Sequence, residues 1–223
     1  MISVAIDGPA GAGKSSISRI AAKKLGFIYV DTGALYRAVG LKFALSGADT
    51  SLDCDIDGIL SETAVDIRFV NGEQRVFLDG EDVSDKIRTP KASMMASAVS
   101  ARPQVRAFLL EMQRKLAREN NVLMDGRDIG TVVLPDADVK IYLTASAEIR
   151  AERRLKELLE KGQQVTYEEV YRDMVKRDYD DMHREIAPLK KAEDAVTADT
   201  SALDFDESVE LILEIVKRET EKE

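Results

Sequence analysis

The sequence holds one cysteine, one histidine and no hydrophobic run near the length of a membrane span. With Cys54 alone, neither an intramolecular disulfide nor a cysteine-based zinc site can form, and a reducing cytoplasm is the expected compartment. With His183 alone, chemistry built on a histidine pair is excluded. No apolar stretch approaches the ~18 residues of a spanning helix. The opening MISVAIDGPA has no basic region ahead of its apolar residues, so no signal peptide is expected. Basic charge is short as well: 32 Lys and Arg stand against 41 Asp and Glu, a net charge of −9. Proteins that grip nucleic acid usually present a broad basic face, so a polynucleotide partner is disfavoured. A small anion remains open if arginines are concentrated in one place. Repeats, low-complexity tracts and sustained heptads are missing too, and a monomer is expected.

What is present reads as an α/β protein. At 223 residues, 44% hydrophobic and 33% charged, the chain suits one large domain carrying a smaller inserted piece. Residues 2–6 are apolar, run into glycines, and lead to a periodic segment over 14–25, which predicts strand, loop and helix. Residues 27–30 predict a second strand and 34–46 a helix. Runs over 121–124 and 139–144 are apolar without alternation, as in buried parallel strands. A last strand is expected at 195–198. It precedes a helix with an N-cap at Asp206 and an apolar stripe of Val209, Ile212, Leu213 and Val216. The expectation is a parallel sheet of about five strands with helices on both faces. The middle differs. Residues 64–70 alternate, Asn71-Gly72 signals a turn, Val76, Phe77 and Leu78 follow, and Asp79-Gly80 signals a second turn before Val83. This predicts a small antiparallel insert over 63–87, with the core as 1–62 and 88–223.

The string Gly8-Pro9-Ala10-Gly11-Ala12-Gly13-Lys14-Ser15 matches G-x-x-x-x-G-K-[ST] in full, between a predicted strand and a predicted helix. Glycines let backbone N–H groups turn inward as an anion nest, and the following helix adds its N-terminal dipole. Lys14 would reach the β- and γ-phosphates of a nucleoside triphosphate, Ser15 would ligate Mg²⁺, and Ser16 continues the binding segment. The loop does not identify what receives the phosphate.

Three further segments bear on that. Asp31-Thr32-Gly33-Ala34-Leu35-Tyr36-Arg37 and Asp125-Gly126-Arg127-Asp128-Ile129-Gly130-Thr131 each follow a predicted strand, at the sheet edge where ligands bind in such folds. Asp125 could serve the metal directly or through water. Read singly, both are ordinary turn chemistry; two arginine-bearing segments at one edge with a phosphate loop make that reading weaker. Residues 150–186 carry Arg150, Arg153 and Arg154, then a capping box at Thr166 and Glu169. Arg177, Asp181 and Arg184 follow at i, i+4 and i+7, which share a helical face. A solvated, salt-bridged hairpin and an arginine-bearing lid both fit that spacing.

Together these segments resemble the bacterial cytidylate kinases, of the nucleoside monophosphate kinase group of P-loop proteins. The matching features are G-P-A-G-A-G-K-S, D-T-G-A-L-Y-R, the β-rich insert, S-x-x-S-x-R-P-x-V-R over 97–106, D-G-R-D-I-G-T and R-D-x-x-D-x-x-R over 177–184. They follow the family's order over nearly the whole chain. The resemblance implies phosphoryl transfer from ATP, with Mg²⁺, to CMP or dCMP. It further implies that Thr32 and Arg37 face the acceptor's phosphate with Arg127 nearby, and that Ser97, Arg106 and Asp128 read cytosine. Asp181 would hold the sugar hydroxyls. Lys14, Arg127, Arg177 and Arg184 would be the catalytic cations, with 150–186 as the lid and 63–87 as the acceptor-binding insert. The chain departs from the family pattern at Tyr179, Asp180 and Met182, where further basic residues are expected, and His183 there is read as solvated. Related small-molecule kinases of the adenylate or shikimate type are the runner-up; the insert and Asp128 argue against them. A GTPase-like switch would need an N-K-x-D motif, which this chain lacks.

Overall fold

The computed structural model describes residues 1–48 and 54–221. Five strands form one parallel sheet: β1 (Ser3–Asp7), β2 (Ile28–Asp31), β6 (Val122–Gly126), β7 (Val139–Thr144) and β8 (Val196–Asp199), in the order β2-β6-β1-β7-β8. Strands β1, β2 and β6 are buried on both faces, which is why they read as apolar runs, whereas β7 alternates buried with half-buried residues and the edge strand β8 is largely exposed. Val4 and Ile6 point to one face, where they meet Ile17 and Ala21 of α1 (Lys14–Leu25) and Val209, Ile212 and Val216 of α8 (Phe205–Thr220). Ala5, Val30, Val122 and Met124 point to the other, beneath Leu110 and Leu116 of α5 (Pro103–Glu119).

A separate three-stranded antiparallel sheet holds β3 (Val65–Val70), β4 (Glu73–Leu78) and β5 (Glu81–Asp82). Its two turns are Asn71-Gly72 and Asp79-Gly80, and all four residues have positive φ, between 52° and 86°. Two-residue hairpin loops need that backbone, and Asn-Gly and Asp-Gly supply it at least steric cost. The sheet makes no core of its own. Val65, Val76 and Leu78 join Leu35, Val39 and Phe43 of α2 (Thr32–Leu45), with Ile56 and Leu60 of α3 (Ile56–Ser61) and Leu109 of α5.

Three helices in the middle of the chain have no counterpart among the sequence expectations: α3, α4 (Pro90–Ser100) and α5. The two longer ones carry proline in their first turn, where its missing N–H costs nothing. Two starts also differ from expectation. Helix α2 begins at Thr32 because Asp31 caps it, accepting from Ala34 N–H at 3.0 Å. Helix α8 is capped by Asp204 rather than Asp206: Asp204 and Glu207 form a reciprocal capping box, which leaves Asp206 in the first turn beside the positive end of the helix dipole.

Helices α6 (Ala147–Glu160) and α7 (Tyr167–His183) pack against each other, and the capping box of Thr166 and Glu169 opens α7. Arg184 lies one residue past the end of α7 in an extended conformation (ψ 142°), so it leaves the helical face that its spacing from Arg177 and Asp181 implied. The chain turns there because Leu189 N–H comes back to Asp181 O at 2.8 Å. No helix among the described residues is long and apolar enough to cross a membrane.

Candidate active site

The parallel register sets the site. Asp31 at the end of β2 lies beside Asp125 of β6, and Asp7 at the end of β1 lies beside Gly126. The segments after β1, β2 and β6 therefore leave the sheet at one edge, although long stretches of chain separate them.

The loop after β1 is fitted tightly. Gly8 has φ +152°, and a Cβ there would stand 2.0 Å from Leu143 O, so a side chain is excluded by backbone. Gly13, with φ 84°, starts α1 without any side-chain cap, leaving the first N–H groups of the helix to the loop. Lys14 is buried, and its Nζ donates to Gly8 O and Pro9 O, each at 2.7 Å. Burial, and then the nearby charges of Arg127 and Arg177, push its ammonium well below the usual lysine range. Ser15 Oγ donates to Asp125 Oδ2 at 3.0 Å, while Tyr29 OH donates to Asp125 Oδ1 at 2.9 Å. Burial, then the charge of Asp31, raises Asp125 to about 6. Ser16 is exposed and faces a cavity of about 370 Å³ that also touches Gly11, Gly13, Arg153, Leu203 and Phe205. Arg153 braces that cavity by donating to Thr200 O at 2.7 Å and to Leu203 O at 3.2 Å.

On the opposite side of the loop, Thr32 is buried and donates to Asp125 O at 2.8 Å. Arg37 donates from Nη2 to Asp31 Oδ2 at 2.7 Å, yet its Nε is buried without a partner. Arg177 Nε is buried and unpartnered in the same way. Burial, then Arg127, brings the Arg177 guanidinium down to about 10, and Arg37 adds to the effect. Arg127 donates to Asp181 Oδ2 at 2.8 Å. Lys14, Arg127, Arg177 and Arg37 thus run as a line of cations from the phosphate loop to the start of α2, with two buried N–H groups left over.

Beyond that line, Asp128 is buried between two arginines. Arg106 of α5 pairs with its Oδ2, and Arg184 donates to Oδ1 at 3.1 Å. Burial raises the Asp128 carboxyl, and both arginines oppose the shift. Arg106 also donates to Ser100 O at 3.2 Å and stands 5.7 Å over the ring of Tyr36. Ser97 is half-buried one turn before Ser100, whose hydroxyl donates to Ser97 O at 2.9 Å. His183 is exposed and stacks on Tyr179, with ring centroids 4.0 Å apart.

Several residues of this region escaped sequence reasoning. Tyr36 was legible only as part of D-T-G-A-L-Y-R. Asp7 accepts from Ile129 N–H and Gly130 N–H, both at 2.7 Å, and burial raises it to about 6. A carboxylate directly before the loop was its only signal. Asp178 was legible only as the second position of R-D-x-x-D-x-x-R and Arg150 only as one of three arginines opening that segment, and neither was given a role of its own.

Residues 4–218 match a family model described as cytidylate kinase. A protein of Carboxydothermus hydrogenoformans named cytidylate kinase is 52% identical over 220 residues, covering 98% of each chain. One of Caldicellulosiruptor saccharolyticus with the same name is 52% identical over 214 residues, covering 96% of this chain and 95% of that one. Among solved structures, a gluconokinase from Sinorhizobium meliloti is similar in fold alone, with a TM-score of 0.51 at 14% identity over 99% of this chain and 94% of that one.

Proposed function

The chain belongs to the cytidylate kinase family, and from that premise we propose that it moves the γ-phosphoryl of ATP onto the phosphate of CMP or dCMP, giving ADP and the diphosphate. The observation that carries the reading is the pair of buried, unpartnered guanidinium N–H groups on Arg37 and Arg177, within the line of cations that starts at Lys14. Unmet buried donors are costly, and a multiply charged phosphate between α2 and α7 would satisfy both.

Each side chain then has a task. Lys14 and the loop amides hold the donor's phosphates, and the cavity beside Ser16 suits the donor's base. Thr32, Arg37 and Arg127 hold the acceptor's phosphate. Asp128 accepts from the exocyclic amine of cytosine, while Arg106, with Ser97, donates to the O2/N3 edge. Uracil carries a carbonyl where Asp128 needs a donor. Asp181 takes the sugar hydroxyls; Arg177 and Arg184 neutralise the phosphoryl group in transit. Loose phosphoryl transfer needs positioning and charge more than a strong base. Residues 150–186 act as the lid, 63–87 as the acceptor-side insert, and closure keeps water from the donor.

Mg²⁺ fits the donor set. Among the described residues no cluster of three or more His, Cys, Asp or Glu could hold a metal. The Ser15 hydroxyl beside Asp125 offers hard oxygens of the kind Mg²⁺ takes together with phosphates and water. When bound, the ion would neutralise charge on the donor's phosphates. A cytoplasmic monomer is the form that we propose.

ADP production with CMP, dCMP, UMP, AMP and shikimate as acceptors tests the reading. The fastest turnover is expected with CMP or dCMP. ADP release indifferent to the acceptor would overturn it.

A further inference from the structure

Apart from the residues given a task above, one buried ion pair ties the two lid helices to the phosphate loop. Asp178 Oδ2 of α7 meets Arg150 Nη1 of α6 at 2.5 Å, with side chains only 10% and 9% exposed. Between them they take both polar backbone groups of a single loop residue. Ala10 N–H donates to Asp178 Oδ1 at 3.0 Å, and Ala10 O accepts from Arg150 Nη1 at 2.8 Å. Arg150 also donates through Nε to Ala145 O, just past β7, at 2.9 Å. Packing there is equally close: a Cβ on Gly11 would stand 2.8 Å from Met174 Sδ and 3.2 Å from Arg150 Cβ. Ordinary solvated pairs occur on the same helices, at Lys176–Asp180 and Arg154–Glu157, and those touch no loop backbone. The Asp178–Arg150 pair is of another kind.

We propose that Asp178 and Arg150 are positioning residues of the donor site, holding the Ala10 peptide so that the shape of the phosphate loop depends on where the lid helix sits. The proposal rests on the kinase reading above and adds to it a link between lid and loop. Lys14 now holds Gly8 O and Pro9 O. A phosphate in the loop competes with those carbonyls for the ammonium. Arg150 is committed to Asp178 and Ala145 and keeps its grip on Ala10 O. Seating α7 therefore sets the loop, and displacing α7 leaves Ala10 N–H without its acceptor. Loss of the Asp178 charge also strands a buried guanidinium beside the loop, which weakens the hold from both sides.

The test is equilibrium binding of ATP measured without acceptor, and of CMP measured without donor, in Asp178→Asn and in Arg150→Lys. The second variant keeps the buried charges balanced, but a single ammonium cannot reach Asp178, Ala10 O and Ala145 O together. ATP affinity is expected to fall roughly tenfold to a hundredfold in both variants, with CMP affinity changed by less than about threefold. Equal losses for ATP and CMP would signify general loosening and overturn the proposal, as would unchanged ATP affinity. CMP-dependent ADP production by the unaltered protein is the control. If it is missing, the kinase reading fails by itself, while the ATP comparison still decides the role of the pair.

Discussion

Arg184 donates to Asp128 across 3.1 Å, which bonds the residue just past α7 to the carboxylate that follows β6. Asp128 is also the partner of Arg106, so one buried carboxylate is shared between the side chain assigned to the base and one assigned to the transferring phosphoryl group. A base bound to Asp128 as proposed would compete with both arginines for that carboxylate and so bear on the chain just past α7.

Replacing Arg184 by alanine is therefore expected to lower kcat by about 10²- to 10³-fold, with the ATP KM within about threefold of the unaltered protein. Steady-state kinetics with CMP as acceptor would show it. An unchanged kcat would remove Arg184 from the chemistry.

Asp7 makes stability depend on pH in a definite direction. Burial raises its folded pKa to about 6, above the ~4 of an exposed aspartate. Its neutral form favours folding, a contribution complete below about pH 4 and lost as pH rises through about 6. The loss amounts to as much as about 3 kcal/mol. In Asp7→Asn the group no longer titrates, so the melting temperature of the variant minus that of the unaltered protein should climb between about pH 4 and 7. A flat difference across that range would contradict the assignment.

Gly8→Ala tests how closely the loop is fitted. The new Cβ would meet Leu143 O at 2.0 Å, and strand β7 is buried and cannot move aside. A destabilisation of about 3 kcal/mol or more is expected, together with loss of ATP binding. Thermal melts and ATP titration would measure the two effects.

Much of this site was legible in the chain. The phosphate loop declares itself by glycine spacing, because few other residues permit that backbone. The hairpins of the insert declare themselves by Asn71-Gly72 and Asp79-Gly80 for a similar reason. Thr166 and Glu169 mark the start of α7 by a local, reciprocal pair of bonds. Each of these signals lies within a few residues of what it controls. Helices α3 to α5 carry local start signals as well, Asp55 and Thr89 as caps and Pro103 in the first turn of α5, but the expectations passed over them. The cap of α8 was misread because two aspartates compete at its start, and only the reciprocal bond with Glu207 selects Asp204.

The order of residues along the chain is enough to establish a loop built for phosphates, an arginine in each of two segments after strands and several in a third, and a parallel sheet to carry them. It could not determine which charges are buried, since Asp178 and Asp180 stand two positions apart on one helix. Asp178 pairs with Arg150 against the loop backbone, and Asp180 meets Lys176 in solvent. Nor could it determine that β6 lies between β1 and β2, which brings Asp125 beside Asp31 and carries Arg127 and Asp128 to the loop. The reason is physical. Backbone conformation is decided by neighbours along the chain, whereas desolvation and ion pairing depend on which surfaces meet, and only the folded molecule brings them together.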